Sequence, residues 1–148
     1  KENQQYNYII APHELLKMQQ LQKWTNGLLF SNANEQNIHN SNVLIIDSIG
    51  LLSSIYQYGN ITYIGGGFGV GIHNILEAVT FGMPVIFGPN YQKFKEAKEL
   101  INQKGAISIS NYQELSLAID YFNTFDKNIA TDYIINNCGA TEIILEKI

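Results

Sequence analysis

A glycine-rich segment carries the strongest chemical signal in the sequence. Five of the seven residues 65–71 are glycine, and they lie between an apolar run at 61–64 and a helix-period segment at about 75–81. Glycine permits positive φ and lets a ligand approach the backbone closely, and a helix start adds unpaired N–H groups and the positive end of the helix dipole. The glycines could instead serve only to turn the chain tightly beside a sheet. Because five in seven exceed what a turn needs, we favour a phosphate-binding loop.

Two common nucleotide-binding fingerprints are excluded by the spacing of these glycines. The dinucleotide pattern G-x-G-x-x-G fails in three registers, because its last position falls on Val70, Ile72 or Asn74. No Gly-Lys-Ser/Thr follows the loop, so it is not a P-loop. The loop is therefore Rossmann-like but lacks the NAD signature.

Polar residues directly after the loop are candidates for ligand contacts. Asn74 and Glu77 have the spacing of a capping box, so they could serve only to begin the next helix. A carboxylate at that place can also accept hydrogen bonds from two sugar hydroxyls, and both interpretations stay open. His73 could either pack against the loop or donate a hydrogen bond to a phosphate, and both interpretations stay open. His13 follows a strand at the ligand edge of the predicted sheet and is a weaker candidate.

The elements that must position these residues alternate regularly between strand and helix. This alternation predicts one α/β domain over residues 1–148, with a Rossmann-like, mostly parallel sheet and helices on both faces. Near-continuous apolar runs are typical of strands buried on both faces. The predicted strands are 8–11, 28–30, 43–46, 61–64, 85–87 and 106–109, and the predicted helices are 14–24, 51–58, 75–81, 94–103, about 111–122 and a segment from about 130.

Composition narrows the classes of ligand. A net charge of -4 disfavours nucleic acid, which usually needs a basic face. No arginine is present, so an anion must be held by backbone N–H groups, by lysine or histidine, or by another chain segment. The three histidines are too scattered to indicate a metal site, and no cofactor is implied. The single Cys138 favours a reducing compartment, and no apolar run approaches the ~20 residues that span a bilayer.

The segments around the glycine loop resemble the core of bacterial Kdo transferases. These enzymes transfer 3-deoxy-D-manno-octulosonic acid (Kdo) from CMP-Kdo onto a lipid A precursor. The resemblance covers nearly the whole chain in the same order. It is carried by residues 64–68, 73–78 and 81–90, and by the flanking segments Ala11–Glu14, Asp47–Gly50, 94–96 and 137–141.

The resemblance implies the C-terminal, nucleotide-sugar-binding half of a GT-B glycosyltransferase. It implies inverting, metal-independent transfer and a donor site that includes Glu77 at the ribose and the loop at the phosphate. By position, the resemblance places five residues at the donor: Gly66, Gly67, His73, Asn74 and Glu77. We add His13 and Lys93 as donor-binding candidates. The family often has an arginine beside the residue matching His13, and none is present here. Lys93 is therefore our candidate for the Kdo carboxylate.

The same resemblance predicts that the chain is a truncated piece of a longer enzyme. The acceptor half, with its catalytic carboxylate base and its contacts to the lipid A precursor, would be absent, so we expect a soluble, inactive fragment. The parent would act in lipopolysaccharide biosynthesis at the cytoplasmic face of the inner membrane. Because a first strand would also be absent, we expect either a rearranged sheet order or self-association through the strands at 8–11 and 61–64. The alternatives are a GT-B enzyme that uses a UDP-sugar (a transferase or 2-epimerase) and a non-catalytic Rossmann-like module.

Overall fold

The computed structural model describes residues 6–13, 18–139 and 144–146. The chain divides into two compact units, Lys1–Ser54 and Ile55–Ile148, which are described separately below. Residues 14–17, where the first predicted helix begins, and residues 140 and 141 of the family-like C-terminal segment lie outside the described residues. The prediction of a single domain over residues 1–148 stays a prediction.

The first unit contains a three-stranded parallel sheet. The strand order is β1-β3-β2, and Tyr8 lies opposite Val43 in the parallel register. The middle strand is the most buried, with Ile45 completely inaccessible to solvent. The elements are β1 (Tyr8–Ile10), α1 (Met18–Thr25), β2 (Leu28–Leu29), β3 (Val43–Ile45) and α2 (Leu52–Ile55), which ends just past Ser54. β1 is therefore an edge strand of its sheet.

The second unit contains another three-stranded parallel sheet, in the order β4-β5-β6. Its middle strand β5 is buried along its whole length, as expected for a strand covered on both faces. The elements are β4 (Thr62–Tyr63), α3 (Leu76–Thr80), β5 (Val85–Phe87), α4 (Lys95–Asn102), β6 (Ala106–Ser108), α5 (Tyr112–Phe122) and α6 (Lys127–Asn137). The strand that leads into the glycine loop, β4, is an edge strand of this sheet.

Helices of the second unit cover both faces of its sheet. Side chains alternate between the faces of a strand. Val85 and Phe87 pack in one apolar cluster with residues of α3, α4 and α6, whereas Ile86 packs in a second cluster with α5. The predicted Rossmann-like α/β class with parallel strands is thus confirmed. The strands are hydrogen-bonded as two sheets of three.

Two predicted helices are shorter than expected. The segment predicted as a helix at 51–58 forms only the four-residue α2, followed by a 3-10 turn at Tyr56–Tyr58. The helix after the glycine loop, predicted at about 75–81, is the five-residue α3. So short a helix aligns few peptide dipoles, and its N-terminus contributes less to anion binding than the sequence suggested. In the described parts of the chain, every helix is too short or too polar to cross a membrane.

Candidate functional site

The glycine loop closes on itself as a small hairpin directly after β4. The N–H of Gly67 donates to the carbonyl of Gly71 at 2.6 Å, and the N–H of His73 donates to the carbonyl of Gly65 at 3.3 Å. Gly66 and Ile72 form an antiparallel bridge between these two bonds. Residues 68–70 are left at the tip, exposed to solvent. The hairpin thus presents backbone at the carboxyl end of a parallel strand, where ligands bind in open α/β sheets.

Two of the glycines are required by the shape of the hairpin. Gly66 and Gly67 have φ of +93° and +80°, which side-chain-bearing residues rarely adopt. A Cβ at Gly66 would overlap the carbonyl oxygen of Gly71, and one at Gly67 would lie 2.8 Å from the backbone of Gly88. Gly69 differs, because a Cβ there would meet nothing within 4 Å. Tight turning therefore explains Gly66 and Gly67 but not the glycine at the tip.

The segment that follows β5 holds the hairpin from one side. The backbone N–H of Asn90 donates to the carbonyl of Gly67, and its side-chain Nδ2 donates to the carbonyl of Gly69, each at 2.8 Å. A Cβ at Gly71 would come within 3.2 Å of the Phe94 ring, so that ring lies against the base of the hairpin. The loop is therefore supported by contacts that are distant in sequence.

Asn74 and Glu77 are in contact, but they do not form the capping box that their spacing indicates. The Nδ2 of Asn74 donates to Oε1 of Glu77 at 3.0 Å, and its Oδ1 accepts from the N–H of Leu76 at 3.0 Å. Ile75, not Asn74, is the N-cap of α3, and it already has helical dihedral angles. The asparagine side chain is thus one residue too early for the backbone bonds of a capping box. It orients the exposed Glu77 carboxylate instead.

Tyr56 lies near that carboxylate and was not identified from the sequence. Burial raises the pKa of its phenol, and the negative charge of Glu77 raises the pKa further. The Tyr56 ring packs on Phe81, with 6.2 Å between the ring centroids. The phenol therefore stays protonated at neutral pH and remains a hydrogen-bond donor. No motif pointed to this residue, which is 21 positions before Glu77 in the sequence.

The remaining candidate residues, His73, Lys93 and His13, differ in how their positions relate to the glycine loop. A Cβ at Gly65 would lie 3.8 Å from Cδ2 of His73, so that side chain lies beside the first residue of the loop. Lys93 is exposed and directly precedes Phe94, whose ring supports the hairpin. His13 belongs to the first compact unit, three residues after β1. The structure thus places the candidates between residues 65 and 93 on neighbouring loops of the second unit, whereas His13 belongs to the first unit.

The fold and the loop together define a class of protein. A parallel β-α-β unit with a glycine-rich turn after its first strand is typical of Rossmann-like α/β domains. Among the described residues, no group of three histidine, cysteine, aspartate or glutamate side chains is placed to hold a metal ion.

The chain is related in sequence to 3-deoxy-D-manno-octulosonic acid transferases. It is 29% identical to the enzyme of Aquifex aeolicus over 126 residues, which are 84% of this chain and 35% of that protein. It is 35% identical to the enzyme of Rickettsia bellii over 89 residues, 60% of this chain and 21% of that protein. The chain thus spans about a third of the first relative and a fifth of the second. The resemblance to Kdo transferases is confirmed, although no family model matches the chain.

The structural comparison agrees in fold. The C-terminal CMP-Kdo binding domain of WaaA from Acinetobacter baumannii matches with a TM-score of 0.71 and 18% sequence identity. The match covers 85% of this chain and 72% of that domain. At this identity the likeness supports the fold alone.

Proposed function

We propose that this chain is the donor-binding part of a Kdo transferase and that it holds the CMP part of CMP-Kdo. One observation carries the proposal. The glycine hairpin after β4 stands beside the oriented carboxylate of Glu77, in a chain related to Kdo transferases over 126 residues. Phosphate and ribose are the two groups that any sugar nucleotide presents, and a backbone loop and a carboxylate are suited to bind them.

The phosphate would be held mainly by backbone. Gly66 and Gly67 allow the tight turn that presents the hairpin backbone, and Gly69 leaves open space at the tip because it carries no Cβ. N–H groups fixed in position stabilise negative charge that develops on a leaving phosphate. In this arginine-free chain, His73 adds a side-chain donor, and Lys93 would pair with the carboxylate of Kdo.

The ribose would be held by Glu77. Its carboxylate is exposed and already oriented by the amide of Asn74. An ionised carboxylate accepts hydrogen bonds from two hydroxyls at once, which matches the 2′ and 3′ positions of a ribose. Charge-assisted bonds of this kind are stronger than neutral ones.

The proposal extends to the whole enzyme of which this chain would be a part. The acceptor would be a lipid A precursor, the pathway lipopolysaccharide biosynthesis and the place the cytoplasmic face of the inner membrane. The base that activates the acceptor would lie on the acceptor-binding half. The chain alone would therefore bind donor without transferring Kdo, and neither metal nor cofactor is needed for that role.

A binding comparison between nucleotides tests the proposal. We expect CMP to shift the amide NMR signals of residues 65–77 in the ¹⁵N-labelled chain, with weaker binding by UMP and UDP. Preference for UDP would indicate a GT-B enzyme that uses a UDP-sugar, either a transferase or a 2-epimerase. If no nucleotide shifts these signals while the spectrum remains that of a folded protein, the chain is a non-catalytic module.

A further inference from the structure

Asn90 is the residue outside the hairpin that holds its tip. Its backbone N–H donates to Gly67 and its side-chain amide donates to Gly69, each bond 2.8 Å long. The first bond would survive a change of side chain, whereas the second depends on the amide. Asn90 itself is exposed, so it contributes little to the apolar core.

The tip has few other restraints. The side chain of Val70 is fully exposed and that of Phe68 is 55% exposed. Within the described residues, the N–H groups of Phe68, Gly69 and Val70 donate to no acceptor of the protein. Successive backbone N–H groups of a turn can bind an anion when they point to one side. The side-chain amide of Asn90 bonds to the middle residue of these three.

We infer that Asn90 is a positioning residue for the donor phosphate. It acts through the carbonyl of Gly69, which it holds so that the neighbouring N–H groups keep one direction. The inference rests on the proposed function and adds to it a residue that neither the loop motif nor the spacing of polar residues indicates. Positioning of this kind affects a ligand that carries a phosphate and not one that lacks it.

Paired ligands separate positioning from a general structural effect. For the Asn90→Ala variant, we expect the affinity for CMP to fall about three- to tenfold, the effect of one hydrogen bond. The affinity for cytidine, which lacks the phosphate, should be unchanged. Gln92→Ala is the matched control, because Gln92 Nε2 donates to the carbonyl of Pro89, in the same segment, at 3.0 Å and not to a residue of the hairpin. This control should leave both affinities at the wild-type level.

A second measurement tests the inference without any ligand. The ¹⁵N heteronuclear NOE of Gly69 and Val70 reports motion of the tip on the picosecond to nanosecond scale. We expect it to fall in Asn90→Ala and not in Gln92→Ala. Equal losses for CMP and cytidine, or an unchanged NOE at the tip, would overturn the inference. Failure of the wild-type chain to bind CMP would overturn the proposed function, while the NOE would still decide whether Asn90 orders the tip.

Discussion

Replacement of Glu77 by alanine separates the two roles that its position allows. Within the described residues, the one hydrogen bond of this side chain is the one that it accepts from Asn74, at 3.0 Å. The backbone bond from Leu76 to Asn74 would remain in the variant. Loss of one exposed bond should cost about 0.5–1 kcal/mol of unfolding free energy. For a domain of this size, that corresponds to a fall in Tm of roughly 2–4 °C or less.

The expected loss of affinity is larger. A hydrogen bond to an ionised group contributes about 1.5–3 kcal/mol, so Glu77→Ala should weaken CMP binding roughly 10- to 150-fold. Binding would be measured by NMR titration or calorimetry, and stability by thermal unfolding without ligand. An affinity that falls far more than the Tm predicts would support a direct contact between Glu77 and the ribose.

The chain contains its own control for this experiment. Glu114 stands three residues after Asn111, the same spacing, but there the N-cap bond forms and Glu114 accepts from the N–H of Ser110 at 2.6 Å. Glu114→Ala should therefore lower the Tm more than Glu77→Ala does and leave the affinity for CMP unchanged. The reasoning fails if Glu77→Ala lowers the Tm sharply while CMP binds as tightly as before.

Three further predictions follow from the structure. Gly67→Ala should cost about 1–3 kcal/mol of stability, because of its positive φ and the contact of the new Cβ with the backbone of Gly88. Gly69→Ala should change stability by about 0.5 kcal/mol or less. Denaturant unfolding of both variants checks this. Burial, helped by a hydrogen bond to Glu99, raises the pKa of Tyr133 from 10.0 to about 12. The folded state therefore retains a proton that the unfolded state releases, so stability should fall between about pH 10 and pH 12, and Tyr133→Phe should reduce that slope. Because β1 and β4 are edge strands of their sheets, we expect self-association, and light scattering that shows one monomer mass across a dilution series would contradict this.

The strands and the main helices could be predicted because apolar patterning is a local property. The runs at 43–46 and 85–87 are strands at the middle of their sheets, and the helix predicted at 94–103 is observed at Lys95–Asn102. The segment at 51–58 was less predictable, because its only ordered turns are α2 and a 3-10 turn. Its polar side chains match a helix pattern, but little of that segment is buried, and burial is what stabilises short helices.

The hydrogen bonds at the site could not be predicted from the spacing of residues in the sequence. The sequence Asn-x-x-Glu occurs at 74–77 and at 111–114, yet only the second pair forms an N-cap bond. Asn111 has extended dihedral angles and points its side chain at the helix start, whereas the N-cap of α3 is Ile75. Tyr56 and Asn90 reach the site through tertiary packing, so no local pattern could have indicated them.

Because the chain has no arginine, contacts that order the hairpin matter for anion binding. A guanidinium carries its own fixed geometry to a phosphate, whereas backbone N–H groups have only the geometry that the loop gives them. Affinity then depends on how well the loop is ordered before the ligand arrives, because ordering it on binding would cost conformational entropy. The segment after β5 supplies four such contacts: the backbone of Gly88 against Gly67, the backbone N–H of Asn90 on Gly67, its side-chain amide on Gly69 and the ring of Phe94 against Gly71. The proposed anion site would therefore be built as much by the strand β5 and the residues after it as by the glycines themselves.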